Sequence, residues 1–333
     1  MQRLSIEIIN KMFRCKMSGS KINFLLSVSR YQDDSGRVVG AYYKDIAKDM
    51  GYSYPQFYAA MRELEKEGFI RCEKNSYYDY DIVILNNDYT DIYRDPEENL
   101  RNKPYINTGH DIFSDKEFLH MKPGAKLMAI DFMSVTRLNE GHYKIGVRKF
   151  FDKYQKLLGV TERIIRVYIT QLKEFFSIGI KGGLYRIRPK VKVYKQQGGK
   201  TEKAIYSEQR IKATCRRNKI TVEHTTDIES VRGLVKQYSR KALEVGSDIL
   251  DVVLESVIRS VDTKEDFSTS EPVLKPKLIH IWVQKLLGIL NGKKIAADQK
   301  PKSNNRLKNK FNNFHQRDYD MEALERALLN ADT

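Results

Sequence analysis

The feature that most constrains this chain is an internal repeat. In residues 21–31, Ile22, Leu25, Leu26 and Val28 have the spacing of an amphipathic helix, and Asp33-Asp34-Ser35-Gly36 stops it. A second helix over residues 43–50 ends at Gly51. A third follows the N-cap candidate Ser53, with Pro55 in its first turn and Phe57, Met61 and Leu64 on one face. Gly68 ends it, Phe69 and Ile70 enter a strand, and residues 78–85 read as the return strand after a polar turn. After Pro123 the series recurs: helices over 125–138 and 147–158, a break at Gly159, the N-cap candidate Thr161, and Ile165, Ile169, Leu172 and Phe176 along a third helix. A strand at 178–180, a Gly182-Gly183 turn and a strand over 184–194 complete it.

Adding 108 to the first copy lands on the second. Gly51 falls on Gly159, Ser53 on Thr161, Phe57 on Ile165, Met61 on Ile169, Leu64 on Leu172, Ile70 on Ile178, Val83 on Val191 and Leu85 on Val193. The expected fold is mainly α with small β-wings (α+β): two tandem winged helix-turn-helix domains, a small helical module and a basic tail. The boundaries read as 1–94 for the first domain, 95–122 for a linker, 123–195 for the second domain and 196–226 for a basic hinge. The helical module follows at 227–292, and 293–333 is a flexible basic tail with a short terminal helix.

Charge separates the copies. The chain has 59 Lys and Arg against 43 Asp and Glu, a net charge of +16 that favours a polyanionic partner. In residues 161–195, nine bases face only Glu162 and Glu174; in residues 53–87, four bases face six acids, including Asp79 and Asp81. A winged helix sets its third helix in the major groove and its hairpin along the backbone, so the second copy is the expected DNA binder. Arg163, Arg166 and Thr170 are the expected base readers, because arginine pairs with guanine O6 and N7. Thr161, Lys173, Lys181, Arg186, Arg188, Lys190, Lys192 and Lys195 are the expected phosphate contacts. Alternation puts Arg186, Arg188, Lys190 and Lys192 on one strand face, a like-charge ladder that calls for a neutralising partner. In the first copy, Gln56, Tyr58 and Arg62 on the third helix and Tyr77, Tyr78 and Tyr80 at the wing suit protein contact in a homodimer, with secondary DNA contact as the alternative.

Other chemistry is not legible. Cys15, Cys72 and Cys215 are far apart, and the six histidines have no metal-ligand spacing, so no metal, cofactor or catalytic residue is expected. Gly198-Gly199-Lys200-Thr201 mimics the end of a phosphate-binding loop, but Tyr194 stands where that loop's first glycine belongs. Residues 1–13 do not read as a signal peptide and no run suits a bilayer span, so a cytoplasmic protein without membrane contact is expected.

Tandem winged helices with a charged second copy resemble plasmid replication initiators of the iteron-binding class. Asn305-Arg306-Leu307-Lys308-Asn309-Lys310-Phe311 and the following Asn313-Phe314-His315-Gln316-Arg317-Asp318-Tyr319-Asp320 resemble the ending of DnaD-like replication proteins of low-GC Gram-positive bacteria. These resemblances imply a non-enzymatic plasmid or phage initiator that binds origin repeats as a homodimer. In it, Arg306, Lys308, Lys310 and Arg317 mark a basic tail, and the C-terminal part contacts replisome proteins such as a helicase or its loader. Two alternatives stay open: a transcriptional regulator or partition protein with the same DNA-binding half, and a tyrosine-dependent strand-transfer or nicking enzyme.

Overall fold

A computed structural model describes residues 2–75, 79–90, 93–94, 100–101, 104–138, 141–194, 201–262 and 272–298. The chain is mainly helical with small antiparallel sheets. It divides into a compact unit Met1–Asn291 and a second unit Gly292–Thr333, which is described only where its first residues end a helix.

The chain opens with β1 (Arg3–Ser5) and α1 (Ile6–Arg14), whose first turn is capped by the Ser5 hydroxyl accepting from the Ile8 N–H. Then come α2 (Gly19–Val28), β2 (Arg37–Ala41), α3 (Tyr43–Met50), α4 (Tyr54–Lys66), β3 (Ile70–Lys74) and β4 (Tyr80–Ile84). A two-residue pairing of β5 (Tyr93–Arg94) with β6 (Leu100–Arg101) leads to β7 (Tyr105–Asn107), which pairs with β1, and to α5 (Lys116–His120). The series then repeats as α6 (Pro123–Leu138), β8 (Tyr143–Gly146), α7 (Val147–Leu158), α8 (Glu162–Leu172), β9 (Phe176–Lys181) and β10 (Leu184–Pro189). The sheets have the same order, β2-β4-β3 and β8-β10-β9, both antiparallel. Four helices close the described chain: α9 (Glu202–Arg217), α10 (Thr225–Glu244), α11 (Ile249–Asp262) and α12 (Pro276–Asp298).

Gly51 and Gly159 end α3 and α7 in the same left-handed conformation, φ 63° and 65°, which an L side chain adopts only with strain. Ser53 and Thr161 begin the next helices, and Phe57, Met61 and Leu64 are buried as are Ile165, Ile169 and Leu172. Beyond these residues the constant offset fails. The chain from Leu64 to β3 is two residues longer than that from Leu172 to β9, so Ile70 falls on Phe176 rather than on Ile178. Central-strand pairing then sets Ile82 on Ile187, Val83 on Arg188 and Leu85 on Lys190, not on Val191 and Val193.

Two strands were not legible: β2 and β8 form the third strand of each sheet in stretches to which the sequence pattern assigned no element. The return strand of the second copy is also shorter than expected. It ends at Pro189, which has no N–H to continue a ladder, and residues Val191–Tyr194 curl into a 3-10 turn that buries Val193. The stretch expected as a linker over 95–122 carries β6, β7 and α5, and Ile106, Ile112, Phe113, Phe118 and Met121 within it are core residues. The stretch expected as a basic hinge over 196–226 holds α9, a helix of 16 residues.

One hydrophobic core runs through both repeats, from Phe24, Phe57 and Leu64 to Phe132, Phe150 and Leu172; a second, with Ile211, Val231, Val253 and Val283, joins α9 to α10–α12. Lys126 of α6 ties the repeats together. It is 1% exposed, and its Nζ donates to Asn23 Oδ1 of α2 at 2.7 Å and to the Leu119 carbonyl at 2.8 Å. Burial pushes its ammonium down to about 8. Among the described residues no helix is long and apolar enough to cross a membrane, and no three His, Cys, Asp or Glu residues are grouped to hold a metal.

Candidate nucleic-acid interface

The third helix of the second repeat buries Ile165, Ile169 and Leu172 and turns its other side to solvent. Thr161, at its N-cap, and Arg163, Arg166, Thr170 and Lys173 are all exposed. Of the three expected base readers, Arg163 is exposed with no side-chain partner among the described residues. Arg166 is already engaged: its Nη2 donates to Glu162 Oε1 at 2.5 Å, and its guanidinium lies 4.8 Å from the centre of the Phe151 ring. The Thr170 hydroxyl donates to the Arg166 carbonyl at 3.1 Å. Val167 and Ile164, which sequence reasoning passed over, share the exposed side of the helix.

The hairpin follows at once. Lys181 is exposed at its turn, beside Gly182 and Gly183, whose φ values of 61° and 72° form the tight reversal. Arg186 and Arg188 of β10 alternate with the buried Tyr185 and Ile187, so they lie on the outer face of the sheet. Lys190 and Lys192 do not extend that ladder. Lys190 lies just past the strand, exposed, and Lys192 on the 3-10 turn pairs with Glu174 and sits 4.6 Å from the Phe175 ring centre. The Lys192 ammonium holds the Glu174 carboxyl below its ordinary range. The cation that completes the outer face is Lys144 on β8, exposed and directly opposite Arg186. Its signal was the alternation Tyr143-Lys144-Ile145, too short to read as a strand alone.

The first repeat presents a different surface. Gln56 is spent on helix capping, its Oε1 accepting from the Ser53 N–H at 3.0 Å. Tyr58 is half-buried between Tyr54 and Tyr80, and burial, reinforced by those two rings, pushes its phenol up to about 12. Arg62 is exposed, its Nε donating to the Tyr58 carbonyl. The outer face of its sheet, beside Asp79 and Asp81, is covered by α9. Arg217 donates from Nε to Asp79 Oδ1 at 3.2 Å and from Nη2 to Asp81 Oδ1 at 2.7 Å, and Arg216 Nη1 donates to Asp45 Oδ2 at 2.7 Å. Asp79 is fully buried. Burial alone raises the Asp81 carboxyl, but the Gly40 N–H, Arg217 and Arg37 outweigh it and hold it below its ordinary range. Gly40 makes the close approach possible: a Cβ there would stand 2.2 Å from the Ala213 Cβ, and its carbonyl accepts from Gln209 and Arg216. Part of the positive charge after residue 195 is therefore neutralised within the molecule. Lys195, Tyr77, Tyr78 and the tail residues Arg306, Lys308, Lys310 and Arg317 lie outside the described residues.

The chain matches no family model, none of the curated proteins and none of the solved structures.

Proposed function

We propose that the two repeats are winged helix-turn-helix domains and that the second binds double-stranded DNA sequence-specifically, the chain acting as a plasmid or phage replication initiator. The recurring order of helix, strand, two helices and hairpin, with the return strand in the middle of each sheet, supports the domain reading. One observation carries the DNA reading. The third helix, hairpin turn and sheet face of the second repeat are open and cationic, whereas the matching sheet face of the first is closed by α9. Arg163 reads bases, Lys144, Lys181, Arg186, Arg188 and Lys190 meet phosphates, and Lys192 contributes less because Glu174 already holds it. The first repeat supports the assembly, and a homodimer forms on surfaces outside the footprint of α9. The C-terminal part contacts replisome proteins.

The strand-transfer alternative is not favoured. Every described tyrosine whose phenol is shifted is shifted upward, chiefly by burial, opposite to the activation that a nucleophile needs. DNase footprinting on the DNA flanking the gene, followed by origin complementation, tests the reading. Protected tandem repeats and maintenance of a plasmid by this gene alone are expected. A single promoter palindrome without plasmid maintenance would favour a transcriptional regulator, and absence of duplex binding would refute the DNA reading outright.

A further inference from the structure

The exposed side of α8 is not simply a row of cations. Arg163, Val167 and Thr170 follow one another at i, i+4 and i+7, directly opposite the buried Ile165, Ile169 and Leu172. Val167, at the middle of that ridge, is 52% exposed, and Ile164 beside it is 40% exposed. Scattered surface apolar residues need no explanation, but these two have a defined setting. The Thr170 hydroxyl is used on the Arg166 carbonyl, leaving its methyl as the remaining contact group, and Arg166 is held by Glu162 and Phe151. The helix face is therefore a short apolar strip with one open guanidinium, Arg163, at its head. Packing within the domain does not demand the strip, because the matching positions of α4 are Gln56, Ala59 and Arg62.

What covers such a strip must be anionic at its edges and carry apolar groups inside. Lys173 ends the same helix, and Lys181 sits at the turn of the adjoining hairpin, both exposed. The major groove meets both demands: phosphates line it, and the thymine C5 methyl is the one apolar group on its base edges. We infer that Val167, flanked by Ile164, reads thymine methyl groups, so that the preferred site combines thymine with the guanine read by Arg163. This inference rests on the DNA-binding reading and adds a base identity to it.

The test uses the full chain and duplexes selected by it from a random library. Each thymine of the selected site is replaced in turn by uracil, which removes only the methyl group. Affinity should fall about fourfold at one or two positions, the effect of burying one methyl group. The Val167→Ala variant should bind the thymine and uracil duplexes equally at one of those positions. Val167 is half-exposed, so the variant should melt with the wild type, and Val167→Thr, which keeps a methyl, should retain part of the discrimination. If the wild type selects a specific duplex yet binds every uracil version equally, the inference fails while the DNA reading stands. The same holds if Val167→Ala changes oligomeric state without changing discrimination. Failure to select any duplex overturns both.

Discussion

Asp81 of β4 lies buried under α9, whereas the residue in the same place on β10, Arg186, is exposed. Each sits on the central strand of a three-stranded sheet, on the face turned away from the helices of its own repeat. The first sheet makes that face acidic and small, with Asp79, Asp81 and a glycine, and receives a basic helix from later in the chain. The second sets Arg186 opposite Lys144, a like-charge cross-strand pair that nothing described in the chain neutralises. The difference shows that an acidic copy and a basic copy need not both look outward. One charge set serves internal docking, and the other stays exposed.

Breaking the internal set should have the largest effect. Asp79→Ala with Asp81→Ala removes the acceptors of the part-buried Arg217 guanidinium and of the buried Gly40 N–H, and should lower stability by about 3–5 kcal/mol in urea denaturation. A loss below about 1 kcal/mol would mean that the two faces are equally dispensable to folding. The joint between the repeats should respond to pH. Lys126 titrates near 8 in the folded chain against 10.5 for the ordinary side chain. Between those values the unfolded chain binds more protons, so stability must rise with pH across the window. The wild type should gain up to about 3 kcal/mol from pH 8 to 10.5 relative to Lys126→Met. Parallel pH profiles for the two proteins would refute the assignment.

The external set should behave in the opposite way. Lys144→Ala, Arg186→Ala and Arg188→Ala together should change stability by no more than about 0.5 kcal/mol, as surface substitutions do. If these residues meet phosphates, the slope of log affinity against log salt should fall in magnitude by up to about 3. An unchanged slope would remove the outer face from the DNA-contacting surface and leave the third helix and hairpin turn to carry it.

Much of this frame was legible because helix periodicity and glycine breaks are local signals: Gly51 and Gly159, and the cap positions Ser53 and Thr161, fall where the pattern put them. What was not legible depended on distant partners. Strands β2 and β8 are short and gain their stability from β4 and β10, so no periodicity announces them. The acidity of the first copy had no visible explanation until Arg216 and Arg217, more than 130 residues away in sequence, appeared against it. The four-cation ladder failed for a local reason, since Pro189 ends the strand before Lys190 and Lys192. Arg163 and Val167 share a ridge that the pattern had already placed on the exposed side, but an eye searching for charge passes over valine.

A single-residue comparison separates the two third helices. Gln56 on α4 and Ile164 on α8 occupy the same position, and glutamine is the residue that would pair with adenine. In the folded chain its Oε1 accepts from the Ser53 N–H, so its carbonyl is committed to starting the helix. Gln56→Ala should therefore cost about 0.5–1 kcal/mol of stability and leave the selected DNA sequence and its affinity unchanged. Arg163→Ala, measured beside it, should leave stability alone and relax the choice of base at one position. If Gln56→Ala instead altered the selected site, α4 would be reading DNA as well, and the division of labour between the repeats would lie in affinity rather than in which of them touches the duplex.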